Sequence, residues 1–463
     1  MACNESYIED DRQLLTKLGK SHLSKSCQRK IDNLGRNDTC DTHEGIVDLT
    51  NENLCDRGAR LLGEALLQNN TLQSIQLDGN NIGAKGAKAL SEALTRNHTL
   101  QVIGLGGMLG ANCIGDEGAK ALSEALTQNN TLREICLARN KIGDEGAKAL
   151  SEALTQNITL QAIILDENNI GDEGVKALSG SLAQNSTLQG VNLASNNIGD
   201  EGAKALSEAL MQNNTLRRIC LTSNNIGEEG TNALSTALTR NNTLQEIWLS
   251  KSNIGEESAK TLSDALTQNN ALQRIYLASN NIGDQGAEAF SEALTQNNTL
   301  QEIYLGINKI GDEGAISLSE ALTLNKALNA ICLFGNNIGD EGAKALSEAL
   351  SQNKTLQRIQ LSINNIGAEG AKALSEALKH RNGTVTFLDL RNNPGYTDDA
   401  AIQKDLVESL SRNNQGKGPT TKKTSPSSEE TTTDTAGASA GNSPNGTTTI
   451  NQYGSKGVGC LVM

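Results

Sequence analysis

Aromatic and histidine residues are scarce in this chain. Its 463 residues include one Trp, five Tyr and three Phe. The four histidines are His22, His43, His98 and His380, and none has a Ser, Cys or carboxylate partner at the spacing of a catalytic motif. Acid–base and nucleophilic catalysis need such paired groups. We therefore expect no enzyme activity, no catalytic residues and no small-molecule substrate.

Long apolar runs, paired cysteines and excess positive charge are also absent. No stretch approaches bilayer length, and the start MACNESYIEDDR lacks the basic and then apolar pattern of a secretion signal. The nine cysteines form no CxxC pair and no His-flanked metal spacing, which favours reduced thiols. A formal net charge of −14 opposes nucleic acid. These features predict a cytoplasmic protein without a metal, cofactor or nucleic-acid partner.

A phrase of 28 residues recurs through most of the chain. Its first leucine falls at Leu132, Leu160, Leu188, Leu216, Leu244, Leu272, Leu300, Leu328 and Leu356. One unit reads TLREICLARNKIGDEGAKALSEALTQNI from Thr131 to Ile158. The apolar residues of its TLREICL segment alternate as in a strand with one buried side. Those of GAKALSEAL follow helical spacing, so each unit is one strand and one helix.

Stacking such units produces a curved array. Parallel strands lie about 4.8 Å apart, whereas packed helices need about 10 Å. We predict an α/β solenoid, a horseshoe with parallel strands on the concave face and helices on the convex face. Further units begin at Leu72 and Leu100, with a divergent one around residues 47–54 and a last one at Val385, which gives thirteen strands.

The repeats define three regions. We expect a polar helical cap at residues 1–43, the solenoid at 44–412 and a disordered tail at 413–463. The step from Leu100 to Leu132 is 32 residues, with the four extra residues in GGMLGANC, from Gly106 to Cys113. This insertion is predicted to protrude from the rim.

The phrase LxxIxLxxNxIGDEGAKALSEAL at 28-residue spacing resembles the ribonuclease-inhibitor-like subfamily of leucine-rich repeats. That family includes ribonuclease inhibitor, the repeat domains of NOD-like receptors and the GTPase-activating protein for Ran. The resemblance implies a solenoid used mainly for protein binding. No GxxxxGK[ST] phosphate loop occurs, so we do not expect a complete NOD-like receptor. The acidic tail of the Ran activator is absent, and no loop arginine, Arg139 and Arg391 included, stands out.

Several repeated polar residues are interpreted as architecture. Paired carboxylates such as Asp144-Glu145 stand at the helix start in eight of the units, and we place Asp144 at the N-cap. Triplets such as Asn129-Asn130-Thr131 match the glycosylation pattern but recur with the unit. A further asparagine column is broken at Ser252, and its members are Asn80, Asn140, Asn168, Asn196, Asn224, Asn280, Asn308, Asn336 and Asn364.

The positions where the units differ are the candidates for binding. The central outward strand position reads Gln76, Gly104, Cys136, Ile164, Asn192, Cys220, Trp248, Tyr276, Tyr304, Cys332, Gln360 and Asp389. Three large aromatics thus occupy successive strands, and Phe334 extends them. In the neighbouring column Glu246, Arg274 and Glu302 alternate in charge. Aromatic residues with charged flanks are typical of interface hot spots, although aromatic stacking also stabilises sheets. We predict a protein-binding site here.

The tail is rich in Thr, Ser, Gly and Pro and ends in Cys460-Leu461-Val462-Met463. This matches a C-a-a-X pattern for farnesylation of Cys460, with removal of the last three residues and carboxyl methylation. A single lipid gives reversible membrane binding, so the protein is expected to be peripheral on the cytosolic face of a membrane.

The sequence therefore predicts a non-enzymatic scaffold that binds a protein on its concave face and is tethered by a prenylated C-terminus. Two alternatives stay open. One is a regulator of a small GTPase, similar to the Ran activator. The other is an innate-sensing repeat module that resembles those of NOD-like receptors. The sequence does not separate these by partner.

Overall fold

The computed structural model describes residues 23–37, 45–106, 112–397 and 399–416. Thirteen parallel strands form one sheet in sequential order, with β1 and β13 at its edges. The strands are β1 Ile46–Asp48, β2 Ser74–Gln76, β3 Val102–Gly104, β4 Glu134–Cys136, β5 Ala162–Ile164, β6 Gly190–Asn192, β7 Arg218–Cys220, β8 Glu246–Trp248, β9 Arg274–Tyr276, β10 Glu302–Tyr304, β11 Ala330–Cys332, β12 Arg358–Gln360 and β13 Phe387–Asp389.

A helix follows each strand and packs on the helices of the neighbouring units. The helices of the described residues are α1 Lys25–Leu34, α2 Cys55–Gln68, α3 Ala84–Leu94, α4 Gly115–Leu126, α5 Asp144–Gln156, α6 Asp172–Gln184, α7 Asp200–Gln212, α8 Glu228–Arg240, α9 Glu256–Gln268, α10 Gly283–Gln296, α11 Asp312–Leu324, α12 Asp340–Gln352, α13 Ala368–His380, α14 Pro394–Thr397 and α15 Ala400–Asn414.

One continuous apolar core lies between the strands and the helices. Ile135 in β4, Leu137 directly after it and the helix residue Leu150 are fully buried, and the same positions are buried in the other units. Adjacent strands pair in register one unit apart, for example Ile135 with Ile163. The predicted fold class, an α/β repeat solenoid with strands on one side and helices on the other, is confirmed.

Two asparagine columns join the units. Asn168 donates through Nδ2 to the carbonyls of Leu137 and Leu165, both at 2.9 Å, and its Oδ1 accepts from the backbone N–H groups of Asn140 and Ile142. Such a buried amide satisfies four backbone groups. The structural interpretation of this column is confirmed. After the insertion Asn112 takes the same role and accepts from the N–H of Ile82, which the shifted spacing concealed.

The second column contains the Asn-x-Thr triplets. Asn129 is buried, donates to the carbonyls of Leu94 and Asn97 at 2.7 and 3.3 Å, and accepts from the N–H groups of Thr131 and Leu132. The amide that a glycan would need is thus committed to the fold. This supports the architectural interpretation of the triplets.

The acidic column has a different role from the one expected. Asp144 is not the N-cap of its own helix, because the cap position is Gly143 and α5 begins at Asp144. Its Oδ1 instead accepts from the N–H groups of Gly171 and Gly174 in the next unit, at 2.7 and 3.0 Å. The carboxylate therefore caps the following helix, because stacking brings that helix start beside it.

Helices close both ends of the described solenoid. Cys27, Ile31 and Leu34 of α1 are buried and belong to the core, as are Ile402 and Leu406 of α15. The expected cap, tail and insertion fall partly or wholly on residues 1–22, 38–44, 107–111 and 417–463, which lie outside the described residues. In the part of the chain that is described, no helix is both long and apolar enough to cross a bilayer.

Candidate functional site

Three aromatic side chains form a stack on the side of the sheet that faces away from the helices, which we call the strand face. Trp248, Tyr276 and Tyr304 are the third residues of β8, β9 and β10, and the parallel register sets them side by side. Their ring centroids lie 4.8 and 4.3 Å apart, with interplanar angles of 8° and 12°. All three side chains are half-buried. We call these three residues the aromatic ladder.

A charged column runs beside the aromatic ladder on the same strands. Arg274 pairs with Glu246 on one side and, through Nε, with Glu302 on the other side at 3.2 Å. The two carboxylates flank the guanidinium as the register of β8, β9 and β10 requires. The column therefore links the three strands that carry the aromatic ladder.

The two columns are joined by the hydroxyl of Tyr304, which donates to Oε2 of Glu302 at 2.5 Å. Burial, and then this hydrogen bond, raises the pKa of Tyr304 far above its ordinary 10.0. Burial and the carboxylates of Glu246 and Glu302 raise the pKa of Tyr276 to about 12. Both phenols are therefore neutral at physiological pH and act as aromatic surfaces and hydrogen-bonding groups.

Phe334 lies two residues beyond the end of strand β11, after the buried Leu333. Its ring covers the backbone of Gly306, where any Cβ would collide with it. The structure thus places Phe334 beside the unit of Tyr304, as the sequence suggested, but on the turn side of the aromatic ladder. Phe334 is half-buried.

Two features of the strand face were not singled out from the sequence. The guanidinium of Arg358 lies over the ring of Phe387, 5.1 Å from its centroid, as in a cation–π contact. Asp166 is buried and accepts from Nδ2 of Asn192 at 3.2 Å. Burial raises the pKa of Asp166 to about 6. No local sequence pattern marks Asp166, because only stacking of the next unit buries it.

Two of the three inter-unit networks, the first asparagine column and the acidic column, are interrupted next to the aromatic ladder. At the junction of the β7 and β8 units, Ser252 replaces the column asparagine, and its hydroxyl reaches only the carbonyl of Ser250 at 3.4 Å. The N–H groups of Asn224 and Ile226, both described residues, then have no amide oxygen to accept from them, unlike Ile254, which donates to Asn280 in the next unit. We call this the β7–β8 junction.

The acidic column is interrupted at the same junction. In the preceding unit Asp200 accepts from the N–H groups of Gly227 and Gly230 at 2.8 and 2.7 Å. Glu228 stands at the next acidic position, and within the described residues it forms no such bond with Gly255. The longer side chain does not reach the turn that an aspartate caps. The first asparagine column and the acidic column are therefore both interrupted at the β7–β8 junction, whereas the second asparagine column continues there, with Asn269 donating to the carbonyls of Leu238 and Asn241.

The described residues contain no group of three or more His, Cys, Asp or Glu side chains placed to hold a metal ion. What the strand face offers is an open surface of stacked rings with ion pairs at its side. This arrangement is suited to binding.

Solved structures with similar folds come from several protein classes. They include leiomodin-1 actin-binding site 2 (19% identity, TM-score 0.29, covering 41% of this chain and 90% of that one). An internalin from Listeria monocytogenes is 20% identical with a TM-score of 0.45, covering 80% of this chain and 86% of that one. The tropomodulin C-terminal domain from Caenorhabditis elegans is 14% identical with a TM-score of 0.30, covering 34% and 94%.

No curated protein matches the chain. The family model of the NLRC3 LRR domain matches residues 31–414, which include all thirteen strands and fourteen of the helices in full. Domains of this kind are protein-interaction modules. The resemblance to leucine-rich repeats of the NOD-like type is thereby confirmed, and the chain belongs to the family of NLRC3 leucine-rich-repeat domains.

Proposed function

We propose that this protein is a non-enzymatic scaffold that captures a protein partner through the aromatic ladder and its flanking groups. The set comprises Trp248, Tyr276, Tyr304, Phe334, Glu246, Arg274 and Glu302. The observation that carries the proposal is the stack of three half-exposed rings, at 4.8 and 4.3 Å, on a face without covering elements in the described chain. Interfaces draw most of their binding energy from such rigid aromatic groups.

The partner is a macromolecule because the strand face is broad and open. Small-molecule sites are concave and enclose most of their ligand. The ion pairs of Arg274 with Glu246 and Glu302 hold the surrounding side chains before a partner arrives. Such preorganisation lowers the entropy that binding must offset.

The test compares captured proteins from cells of the source organism. The full chain, a Trp248→Ala/Tyr276→Ala variant and a helix-face control, Lys176→Ala/Lys260→Ala, are used as bait, with quantitative mass spectrometry as the readout. Lys176 and Lys260 are exposed on α6 and α9, away from the strand face. A partner retained by the control and lost with the aromatic variant supports the proposal. An identical protein set for all three baits contradicts it.

The proposed scaffold is tethered to a membrane through Cys460, which lies outside the described residues. The C-a-a-X match supports the farnesyl group and carboxyl methylation. The mass of the C-terminal peptide from native cells tests this: a farnesylated, truncated Cys460 supports the tether, and an intact CLVM end removes it. A Cys460→Ser chain is the control.

Of the two alternatives, the family match favours the innate-sensing repeat module. The GTPase-regulator alternative would need an accessible loop arginine to enter a GTPase site. Arg139 is paired with Glu167 at 2.5 Å, and Arg391 is bound to both oxygens of Asp389. That alternative would be supported if this chain accelerated GTP hydrolysis by a small GTPase and the acceleration were lost on replacing Arg139 or Arg391.

A further inference from the structure

Charge divides the strand face into two halves. In each unit we count the charged residues at four positions. These are the first and third residues of the strand, and the two residues that follow the buried leucine after the strand. From β1 to β6 these positions hold one arginine and five carboxylates, the arginine being Arg139 and the carboxylates Asp48, Asp78, Glu134, Asp166 and Glu167. From β7 to β13 they hold three carboxylates and five cations, the cations being Arg218, Lys251, Arg274, Arg358 and Arg391. The second half is cationic in a chain whose formal net charge is −14.

The three carboxylates of the second half are already paired. Glu246 and Glu302 bind Arg274, and Asp389 binds Arg391. Arg218, Lys251 and Arg358 stay outside these ion pairs, and no other pair within the described ranges includes them. Their positive charge is therefore directed to whatever approaches the second half of the face.

The same half carries two unusual isoleucines. Ile307 and Ile363 occupy the turn after β10 and after β12, with side chains 46% and 53% exposed. Their φ angles are +56° and +57°, in the left-handed region that β-branched residues avoid. At the same turn position the first and last units have Asn51 and Asn392, which tolerate that conformation. Exposure and backbone strain are both unfavourable, so folding does not explain these residues.

The two isoleucines adjoin the aromatic surface. Between them lies Gly335, and a Cβ there would lie 2.8 Å from Cγ1 of Ile307. Phe334 precedes Gly335 and covers Gly306. We call Ile307, Phe334 and Ile363 the apolar rim. Strained residues that persist with exposed apolar side chains point to a binding role.

We propose that the β7–β13 half of the strand face binds an acidic segment of a partner protein, whose aliphatic or aromatic side chain rests on the apolar rim. This rests on the proposed function and adds the chemistry of the partner. The acidic residues of the segment face Arg218, Lys251 and Arg358, and the acidic β1–β6 half repels a segment placed there. Binding weakens at high salt, because long-range attraction between exposed charges is screened.

The test uses a random twelve-residue peptide library displayed on phage, selected against the full chain. Three variants are selected in parallel: Ile307→Asn/Ile363→Asn, Arg218→Glu/Lys251→Glu/Arg358→Glu, and Trp248→Ala/Tyr276→Ala. Matched controls are Ile158→Asn, which removes a 74% exposed isoleucine from the opposite edge, and Lys176→Glu/Lys260→Glu/Lys372→Glu, the same charge change on the helices. Because asparagine suits the turn, the double isoleucine variant keeps or raises its thermal midpoint.

The expected peptides are acidic with at least one large apolar residue. Their binding falls tenfold or more with the double isoleucine variant, and the charge variant selects basic peptides instead. Basic or uncharged peptides, peptides indifferent to Ile307 and Ile363, or no enrichment at all overturn the inference. Peptides whose binding depends on Trp248 and Tyr276 but not on the isoleucines would show that the apolar rim is not part of the site and that the aromatic ladder is. Acidic peptides whose binding needs the isoleucines but not the aromatic rings would support the apolar rim as the binding site and contradict the proposed function of the aromatic ladder.

Discussion

Replacing Ser252 with asparagine should strengthen the β7–β8 junction. In the next unit Asn280 donates to the carbonyls of Leu249 and Leu277 at 2.9 Å, and accepts from the N–H groups of Ser252 and Ile254. The Ser252 hydroxyl forms one long bond of 3.4 Å instead. Because the backbone repeats, an asparagine at 252 would reach the equivalent carbonyls and accept from the two N–H groups left without an acceptor.

The gain follows from the number of groups that become satisfied. A net hydrogen bond contributes about 1 kcal/mol, and leaving a buried N–H unpaired costs about as much or more. Ordering the new side chain offsets part of this gain. We expect about 2 kcal/mol in the interaction between the two units, which corresponds to an approximately 30-fold change in an equilibrium constant. In a repeat array such an interface term adds directly to stability.

Two measurements test the Ser252→Asn variant. The urea midpoint should rise, and hydrogen exchange at the amides of Asn224 and Ile226 should slow while amides in the β1–β5 units keep their rates. The matched control is Asn308→Ser, which removes the same side chain from an intact junction and should lower the midpoint. An unchanged or lower midpoint for Ser252→Asn, with Asn308→Ser still destabilising, would refute the assignment of the junction as weak.

Two further predictions concern other buried groups. Asp166→Asn should remove a pH dependence of folding stability. Folding raises the pKa of Asp166 from 3.8 to about 6, so the folded state binds the proton more tightly than the unfolded state. Wild-type stability therefore falls as the pH rises through that range. The difference in free energy of unfolding between variant and wild type should move by roughly 2 kcal/mol in favour of the variant from pH 4 to pH 7. A urea midpoint that differs from the wild-type midpoint by the same amount at both pH values would contradict this. Asn213→Ala should cost about 2 kcal/mol or more, because it removes four hydrogen bonds of which three are buried; calorimetry showing no loss would contradict it.

The fold was predictable because every unit has the same spacing of apolar residues. The alternation around Leu132 and the helical spacing around Leu150 require a buried side and an exposed side, and 28-residue repetition makes stacking the means of burial. The role of Asp144 was not predictable in the same way. Its partners Gly171 and Gly174 belong to the next unit, so a reading of one helix at a time assigns the carboxylate to the wrong helix start.

The candidate site was predictable only as columns. Strand register follows from the repeat, so the neighbours of Tyr276 and of Arg274 are fixed by counting. Backbone angles and burial are not visible in the sequence: Ile307 and Ile363 appear there as ordinary turn variants, and Asp166 as an ordinary surface acid. Their exposure, strain and raised pKa arise from the stacked units.

The aromatic ladder stabilises the sheet as well as displaying a surface, so loss of partner capture after Trp248→Ala/Tyr276→Ala has two explanations. Each stacked pair contributes about 1 kcal/mol beyond its buried area, and the variant removes both pairs, so this loss of about 2 kcal/mol is close to the gain expected from Ser252→Asn. Adding Ser252→Asn to the aromatic variant should therefore restore much of the urea midpoint without restoring the rings. Capture that stays lost in this triple variant assigns binding to Trp248 and Tyr276. Capture that returns with the midpoint would show that the rings act through stability alone.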